Sequence, residues 1–176
     1  LGGRPTFPTQ MTVNRRAALI LNASAGDLNF QNKPFTINGF GLNDDLDSDN
    51  ATRGALRVIG GVTGTPRTVI IGTNATAVTW NTNPTVVDVG GFTTLNLLAT
   101  IGTGGNGLTK IGGGTMIYGG NAQNGNTGPV NVNEGTLILN KTGGTAPTAI
   151  RGNLAINDLT NNIDPVGEAT VQYASG

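Results

Sequence analysis

The chain has 176 residues, of which 11% are charged, and its 10 basic side chains balance its 10 acidic ones. This balance gives no electrostatic reason to expect a nucleic acid or an anionic membrane as a partner. Cysteine and histidine are both missing from the sequence, which excludes disulfide bonds, a thiol nucleophile, a histidine base and the usual zinc ligands.

Glycine dominates the turns of this sequence, with 29 of the 176 residues, while aromatic residues make up only 5%. Such a composition is typical of many short strands joined by tight turns. The sequence predicts no helix of useful length, and no apolar stretch approaches the ~18 residues of a membrane span. The chain begins Leu1-Gly2-Gly3 without a signal region, so we expect residues 1–176 to be a single segment of a longer repeat protein.

The first predicted unit, residues 12–22, is a strand, a short turn and a second strand. It resembles residues 131–140, which suggests that both ends of the chain carry the same unit. Residues 35–39, 56–60 and 68–72 follow as strands that end at a glycine or asparagine. If the asparagines of such corners align, their amides would form a ladder along the stack. The corner asparagines are Asn14, Asn38 and Asn133.

An acidic run, residues 43–50, interrupts these strands. Its alternating Asp45, Asp47 and Asp49 could supply the oxygen ligands that Ca²⁺ prefers, which makes them a weak Ca²⁺ candidate. The EF-hand pattern does not fit, since Asn50 stands where the glycine belongs. The alternative is a solvated loop that protrudes from the strands.

A block recurs at intervals of about 21 residues in the second half of the chain. Its copies begin at residues 89, 111 and 132, and each reads as an apolar residue, a small turn and a short aliphatic strand. We take Gly91, Gly114, Gly135 and Gly152 as equivalent turn positions. One unit of this size cannot bury an apolar face alone, so the copies are expected to stack and share a continuous core.

Residues 108–121 (LTKIGGGTMIYGGN) and 128–137 (GPVNVNEGTL) carry a resemblance to a known family. They are similar to the autotransporter-associated β-strand repeat, whose pattern is approximately L-T-K-x-G-x-G-T-L-x-L-x-G followed by T-G-x-x-x-V-x-x-G-T-L. Met116 and Tyr118 stand where the family favours leucine. The resemblance implies a right-handed parallel β-helix in a large secreted or surface protein of a bacterium.

We therefore predict an all-β chain that forms a right-handed parallel β-helix of roughly eight coils, near 40 Å long at about 4.8 Å per coil. Alternate aliphatic residues of the strands are expected to line the core. They are Leu95, Leu97, Leu108, Ile111, Ile117, Val130, Val132, Leu137, Leu139, Leu154 and Ile156.

Two classes of function follow from this fold. The first is an extracellular structural or adhesive segment of a surface protein or fibre, which associates head to tail with copies of itself and has no catalytic site. The second is a carbohydrate-binding or polysaccharide-degrading domain, with surface polysaccharide as partner. Exposed aromatic residues in a row would favour the second, the candidates being Trp80, Phe92, Tyr118 and Tyr173. The aspartates Asp27, Asp88, Asp158 and Asp164 are isolated in sequence, which favours the first.

Overall fold

The computed structural model describes residues 9–41, 54–73, 76–82, 84–102, 104–143, 148–157 and 168–174. These residues form sixteen short β-strands and no helix, so none of them belongs to a helix that could cross a membrane. In chain order the strands are β1 Met11–Val13, β2 Leu19–Asn22, β3 Leu28–Phe30, β4 Phe35–Ile37, β5 Leu56–Ile59, β6 Arg67–Ile71, β7 Ala77–Trp80, β8 Thr85–Val89, β9 Thr93–Leu97, β10 Thr100–Ile101, β11 Leu108–Ile111, β12 Thr115–Tyr118, β13 Val130–Val132, β14 Thr136–Leu139, β15 Leu154–Ile156 and β16 Thr170–Tyr173.

The strands form three parallel sheets. Sheet A has the order β1-β4-β7-β10, sheet B the order β2-β5-β8-β11-β13-β15, and sheet C the order β3-β6-β9-β12-β14-β16. In the first four coils the chain therefore passes from sheet A to B to C, and after β12 the described strands alternate between sheets B and C. Each strand pairs with its counterpart one coil away. This arrangement confirms the predicted parallel β-helix, and its right-handed sense stays a prediction.

The core consists of inward-facing columns that run along the stack. Sheet C supplies two of them, because successive side chains of a strand point to opposite faces and the pairing repeats without a shift. Val69, Leu95, Met116 and Leu137 form one column. The other contains Phe30, Ile71, Leu97, Tyr118 and Leu139, all of them buried.

Seven of the predicted core residues are buried, and Ile111 and Ile117 are not. Both isoleucines are half-buried and point outward, because their neighbours Lys110 and Met116 point inward. The error is a shift of one residue, which moves a side chain to the opposite face. The seven confirmed positions are Leu95, Leu97, Leu108, Val130, Val132, Leu137 and Leu139.

Leu154 and Ile156 lie in inward-facing columns, since they pair with Val130 and Val132. They are nevertheless 37% and 53% exposed, because β15 is the outermost strand of sheet B and no described strand lies beyond it. The prediction that both are buried is wrong, although the direction of both side chains agrees with it.

The number of coils is not confirmed as eight. Sheets B and C each contain six strands within the described residues, and six coils at about 4.8 Å extend about 29 Å rather than 40 Å. The short repeat holds only in the second half of the chain. In sheet C, β9, β12 and β14 begin at residues 93, 115 and 136, and in sheet B, β8, β11, β13 and β15 begin at residues 85, 108, 130 and 154. Longer stretches of chain separate β3 from β6 and β14 from β16. The same number of residues therefore forms fewer coils than a constant repeat of about 21 residues would give.

Two of the equivalences predicted from the sequence are wrong, because they match segments that lie in different sheets. Residues 12–22 supply strands of sheets A and B, whereas residues 131–140 supply strands of sheets B and C. Gly152 precedes a strand of sheet B and stacks on Gly128, whose carbonyl oxygen a Cβ would overlap. It is thus not equivalent to Gly135, which precedes a strand of sheet C.

Asparagine amides do link successive coils, but in two separate columns. At the end of sheet A, Asn38 Nδ2 donates to Val13 O at 2.6 Å and Asn81 Nδ2 donates to Asn38 Oδ1 at 2.8 Å. At the end of sheet B, Asn157 Nδ2 donates to Asn133 Oδ1 at 3.4 Å. Asn133 therefore does not share a column with Asn38.

Candidate functional site

The acidic side chains proposed as a weak calcium site, Asp45, Asp47 and Asp49, lie outside the described residues. Among the residues that the structure does describe, no three His, Cys, Asp or Glu side chains come close enough to hold a metal ion. Asp27 and Asp88 lie on different coils, and each accepts a hydrogen bond within the chain. Thr68 N donates to Asp27 Oδ1 at 2.8 Å, and Arg57 Nε donates to Asp88 Oδ2 at 3.1 Å.

The four candidate aromatic residues do not form an exposed row. Trp80 and Tyr118 are buried in the core, whereas Phe92 and Tyr173 are exposed at a turn and in the last coil. Burial raises the pKa of the Tyr118 phenol, and the nearby Trp80 indole opposes this shift only partly. Within the described residues the Trp80 Nε1 group makes no well-formed hydrogen bond. The rings of Trp80 and Tyr118 fill the core, and the four rings together form no continuous platform for stacking on sugars.

The last coil exposes the interior of the β-helix. Leu154, Ile156 and Tyr173 continue three inward-facing columns whose earlier members are buried. Tyr173 is 80% exposed, although Leu139, its partner in the preceding coil, is buried. We call the surface formed by Leu154, Ile156 and Tyr173 the terminal face. It combines apolar side chains with the outer edges of β15 and β16, which pair with no further strand in the described part of the chain.

A cavity of about 480 Å³ opens beside the terminal face. Its lining includes Leu139, Lys141, Leu154 and Tyr173. Burial lowers the pKa of Lys141 from its ordinary 10.5 to about 8, and its ammonium group donates to Ala99 O at 3.3 Å. The cavity is thus a mixed apolar and polar recess at the end of the rod.

The opposite end of the stack is different. There β1, β2 and β3 are the outermost strands, and their inward residues are either buried or half-buried. Val13, Leu21 and Phe30 are buried, and Met11, Leu19 and Leu28 are half-buried. The Phe30 ring packs edge-on against Phe35 of the next coil, with ring centroids 6.0 Å apart and an interplanar angle of 83°. The core is therefore less exposed at the first coil than at the terminal face.

A buried polar network, which the sequence did not predict, lies at the corner between sheets B and C. Lys110 occupies an inward position between Val87 and Val132 and is fully buried. Its Nζ donates to Gly112 O and to Glu134 O, each at 2.7 Å. The carboxylate of Glu134 accepts a hydrogen bond from Gly112 N at 2.7 Å.

The network extends along four coils with alternating charge. Arg57 pairs with Asp88 at 3.1 Å, and the charges of Asp88 and Glu134 both act on Lys110. Burial lowers the pKa of Lys110 from 10.5 to about 8, and the two carboxylates oppose this shift only partly. Gly112, with φ of +78°, sits between the acidic groups, where a Cβ would overlap Asp88 Oδ1. These contacts hold adjacent coils together at this corner.

Comparison of the chain with known protein families, with curated proteins and with solved structures found no match.

Proposed function

We propose that this chain is an extracellular structural segment of a bacterial surface protein or fibre, and that it associates head to tail with further copies. The terminal face is the observation that carries the proposal. Apolar columns that are buried in the preceding coils are exposed there, beside the outer edges of β15 and β16, which pair with no further strand among the described residues. Both features favour the addition of another coil.

A head-to-tail contact suits the geometry of the stack. Tyr173 ends the column that begins with Phe30 in β3. The first coil of a second copy would continue this column with its strands in the same direction. Such a contact does not close on itself and so produces a filament. The formal net charge of zero does not oppose association.

The bacterial and extracellular setting rests on the resemblance of residues 108–121 and 128–137 to the autotransporter-associated repeat. The carbohydrate-binding or polysaccharide-degrading alternative gains no support from the described residues, because their aromatic side chains form no row.

The proposal is tested with the 176-residue chain and two matched variants. Ile156→Lys puts a charge on the terminal face, and Val62→Lys puts the same charge on an equally exposed residue in the turn between β5 and β6. We expect light scattering and negative-stain microscopy to show elongated assemblies for the natural chain and for Val62→Lys. Ile156→Lys should remain a folded monomer by circular dichroism and sedimentation.

Monomers at every concentration would contradict the proposal. A closed dimer would contradict the head-to-tail arrangement, since it would mean that two terminal faces meet.

A further inference from the structure

The outer face of sheet C carries two straight columns of side chains. The strand register stacks an outward-facing threonine on the next through five successive coils, and a second column lies two residues further along each strand. We call this surface the threonine face. Its first column is Thr68, Thr94, Thr115, Thr136 and Thr170, and its second is Ile70, Asn96, Ile117, Ile138 and Gln172.

The first column of this face is uniform, and the whole face is neutral. None of its ten side chains is charged or aromatic, whereas the outer face of sheet B carries the Arg57–Asp88 ion pair. Among the described residues, the five threonine hydroxyls form no hydrogen bond within the chain, which leaves them available to a ligand. Each threonine also presents a methyl group beside its hydroxyl.

The threonine face is also regular in two directions. Neighbouring coils place equivalent side chains about 4.8 Å apart, and the two columns are separated by about 6.6 Å along the strands. Ladders of identical side chains are one of the features that keep a sheet flat. Threonine is stiff at χ1, so the array is ordered before any ligand arrives.

The properties of the array exclude several kinds of partner. Sugars and nucleobases stack on aromatic rings, and phosphates and anionic lipids need basic side chains. The face covers roughly 300 Å², well below the ~800 Å² per partner of a stable protein–protein interface. A neutral, periodic array of hydroxyl and methyl groups instead suits a partner that is itself a neutral, periodic lattice.

We propose that the threonine face binds ice. The oxygen rows of an ice surface repeat in one direction at a distance close to the spacing of the coils. The threonine hydroxyls can hydrogen-bond to lattice water, while the methyl groups of threonine and isoleucine hold ordered water between the columns. A rigid array loses little conformational entropy on binding. This activity goes beyond the structural role proposed above and does not depend on end-to-end assembly.

The test measures enrichment of the fluorescently labelled 176-residue chain in a growing ice crystal. Thr115→Lys and Thr136→Lys disturb the centre of the threonine face. Thr109→Lys is the matched control, because Thr109 is half-buried and points outward in the same coil as Thr115, but on sheet B. We expect ice to take up the natural chain and Thr109→Lys, and both variants of the threonine face to lose this uptake while circular dichroism shows them folded.

Exclusion of the natural chain from ice would overturn the proposal, as would equal loss of uptake in Thr109→Lys. Binding to crystalline cellulose without uptake into ice would also overturn it, in favour of a polysaccharide ligand. Ile156→Lys separates the two proposals, since it should abolish end-to-end assembly and leave the uptake into ice unchanged.

Discussion

Lys110 is the residue whose surroundings differ most from those usual for its type. Lysine is almost never fully buried unless its charge is paired, and burial of a charge is costly even when it is paired. Here two backbone carbonyls accept hydrogen bonds from Nζ, and the carboxylates of Glu134 and Asp88 lie nearby. This environment only partly replaces water, which is why the pKa falls to about 8.

The lowered pKa of Lys110 makes stability depend on alkaline pH. Between pH 8 and the ordinary lysine pKa of 10.5, the unfolded chain keeps the proton that the folded chain has released. Unfolding then takes up a proton, so the free energy of unfolding rises with pH, by at most about 1.4 kcal/mol per pH unit for one group. We expect the melting temperature to rise from pH 8 to pH 10. Above pH 10 the raised pKa of Tyr118 acts in the opposite direction.

Two variants test which lysine causes the rise of the melting temperature with pH. Lys110→Met should reduce it, and Lys141→Met should reduce it less, because Lys141 is only partly buried. An unchanged slope in Lys110→Met would show that Lys110 is not the titrating group.

The sequence could not identify Lys110 as a buried residue. In the stretch Leu108–Ile111 the lysine alternates with a threonine, and such a strand normally places its lysine toward solvent. Only the pairing of Lys110 with Val87 and Val132 fixes its direction. The hydrogen bond that the Glu134 carboxylate accepts from Gly112 N likewise depends on the stacking of two coils, which the local sequence does not show.

At the scale of the strand, β12 shows why the inward direction was assigned wrongly. Its residues Met116, Ile117 and Tyr118 are all large and apolar or aromatic, so the period-two pattern permits either phase. Leu137 and Leu139 in β14 have an unambiguous direction, and their pairing with Met116 and Tyr118 decides the question. Local sequence alone lacks this information.

The direction of β12 gives a prediction on two adjacent residues. Met116→Ala removes a fully buried side chain and should lower the free energy of unfolding by about 2–5 kcal/mol. Ile117→Ala removes an outward side chain and should cost about 1 kcal/mol or less. Urea unfolding of both variants measures the difference. Equal losses, or a greater loss for Ile117→Ala, would contradict the observed register.

At the scale of the whole molecule, stability is expected to vary along the stack. Each strand pairs only with strands of the neighbouring coils, as in other repeat proteins. β12 is covered on both sides, whereas β16 pairs only with β14 and its Tyr173 is largely exposed. The last coil should therefore open more often than the middle ones.

Hydrogen exchange followed by mass spectrometry or NMR measures this gradient. We expect the backbone amides of β15 and β16 to exchange fastest among the strands, and those of β9 and β12 slowest. Uniform protection in a monomeric sample would contradict the prediction, and protection that rises in β15 and β16 with protein concentration would agree with assembly at the terminal face.

The fold class could be predicted because short strands, glycine corners and a repeat of about 21 residues together leave few architectures. The number of coils could not, because the distance between equivalent strands changes along the chain. β3 and β6 begin at residues 28 and 67, while β12 and β14 begin at 115 and 136. The exposure of the terminal face could not be predicted either. The alternation of residues along a strand gives the direction of the Leu154 and Ile156 side chains, but it does not show whether another coil covers them.

The buried charges at Lys110 have one more consequence, which concerns the order in which the coils stack rather than the stability of the fold. Coils with similar apolar columns are nearly interchangeable, and a chain built only from them could fold with one coil displaced. Lys110 finds Glu134 in the following coil and Asp88 in the preceding one, and a displaced coil would lose both partners. The network thus fixes the position of the coil of β11 and β12 between its two neighbours, so that a chain of similar repeats stacks its coils in one order.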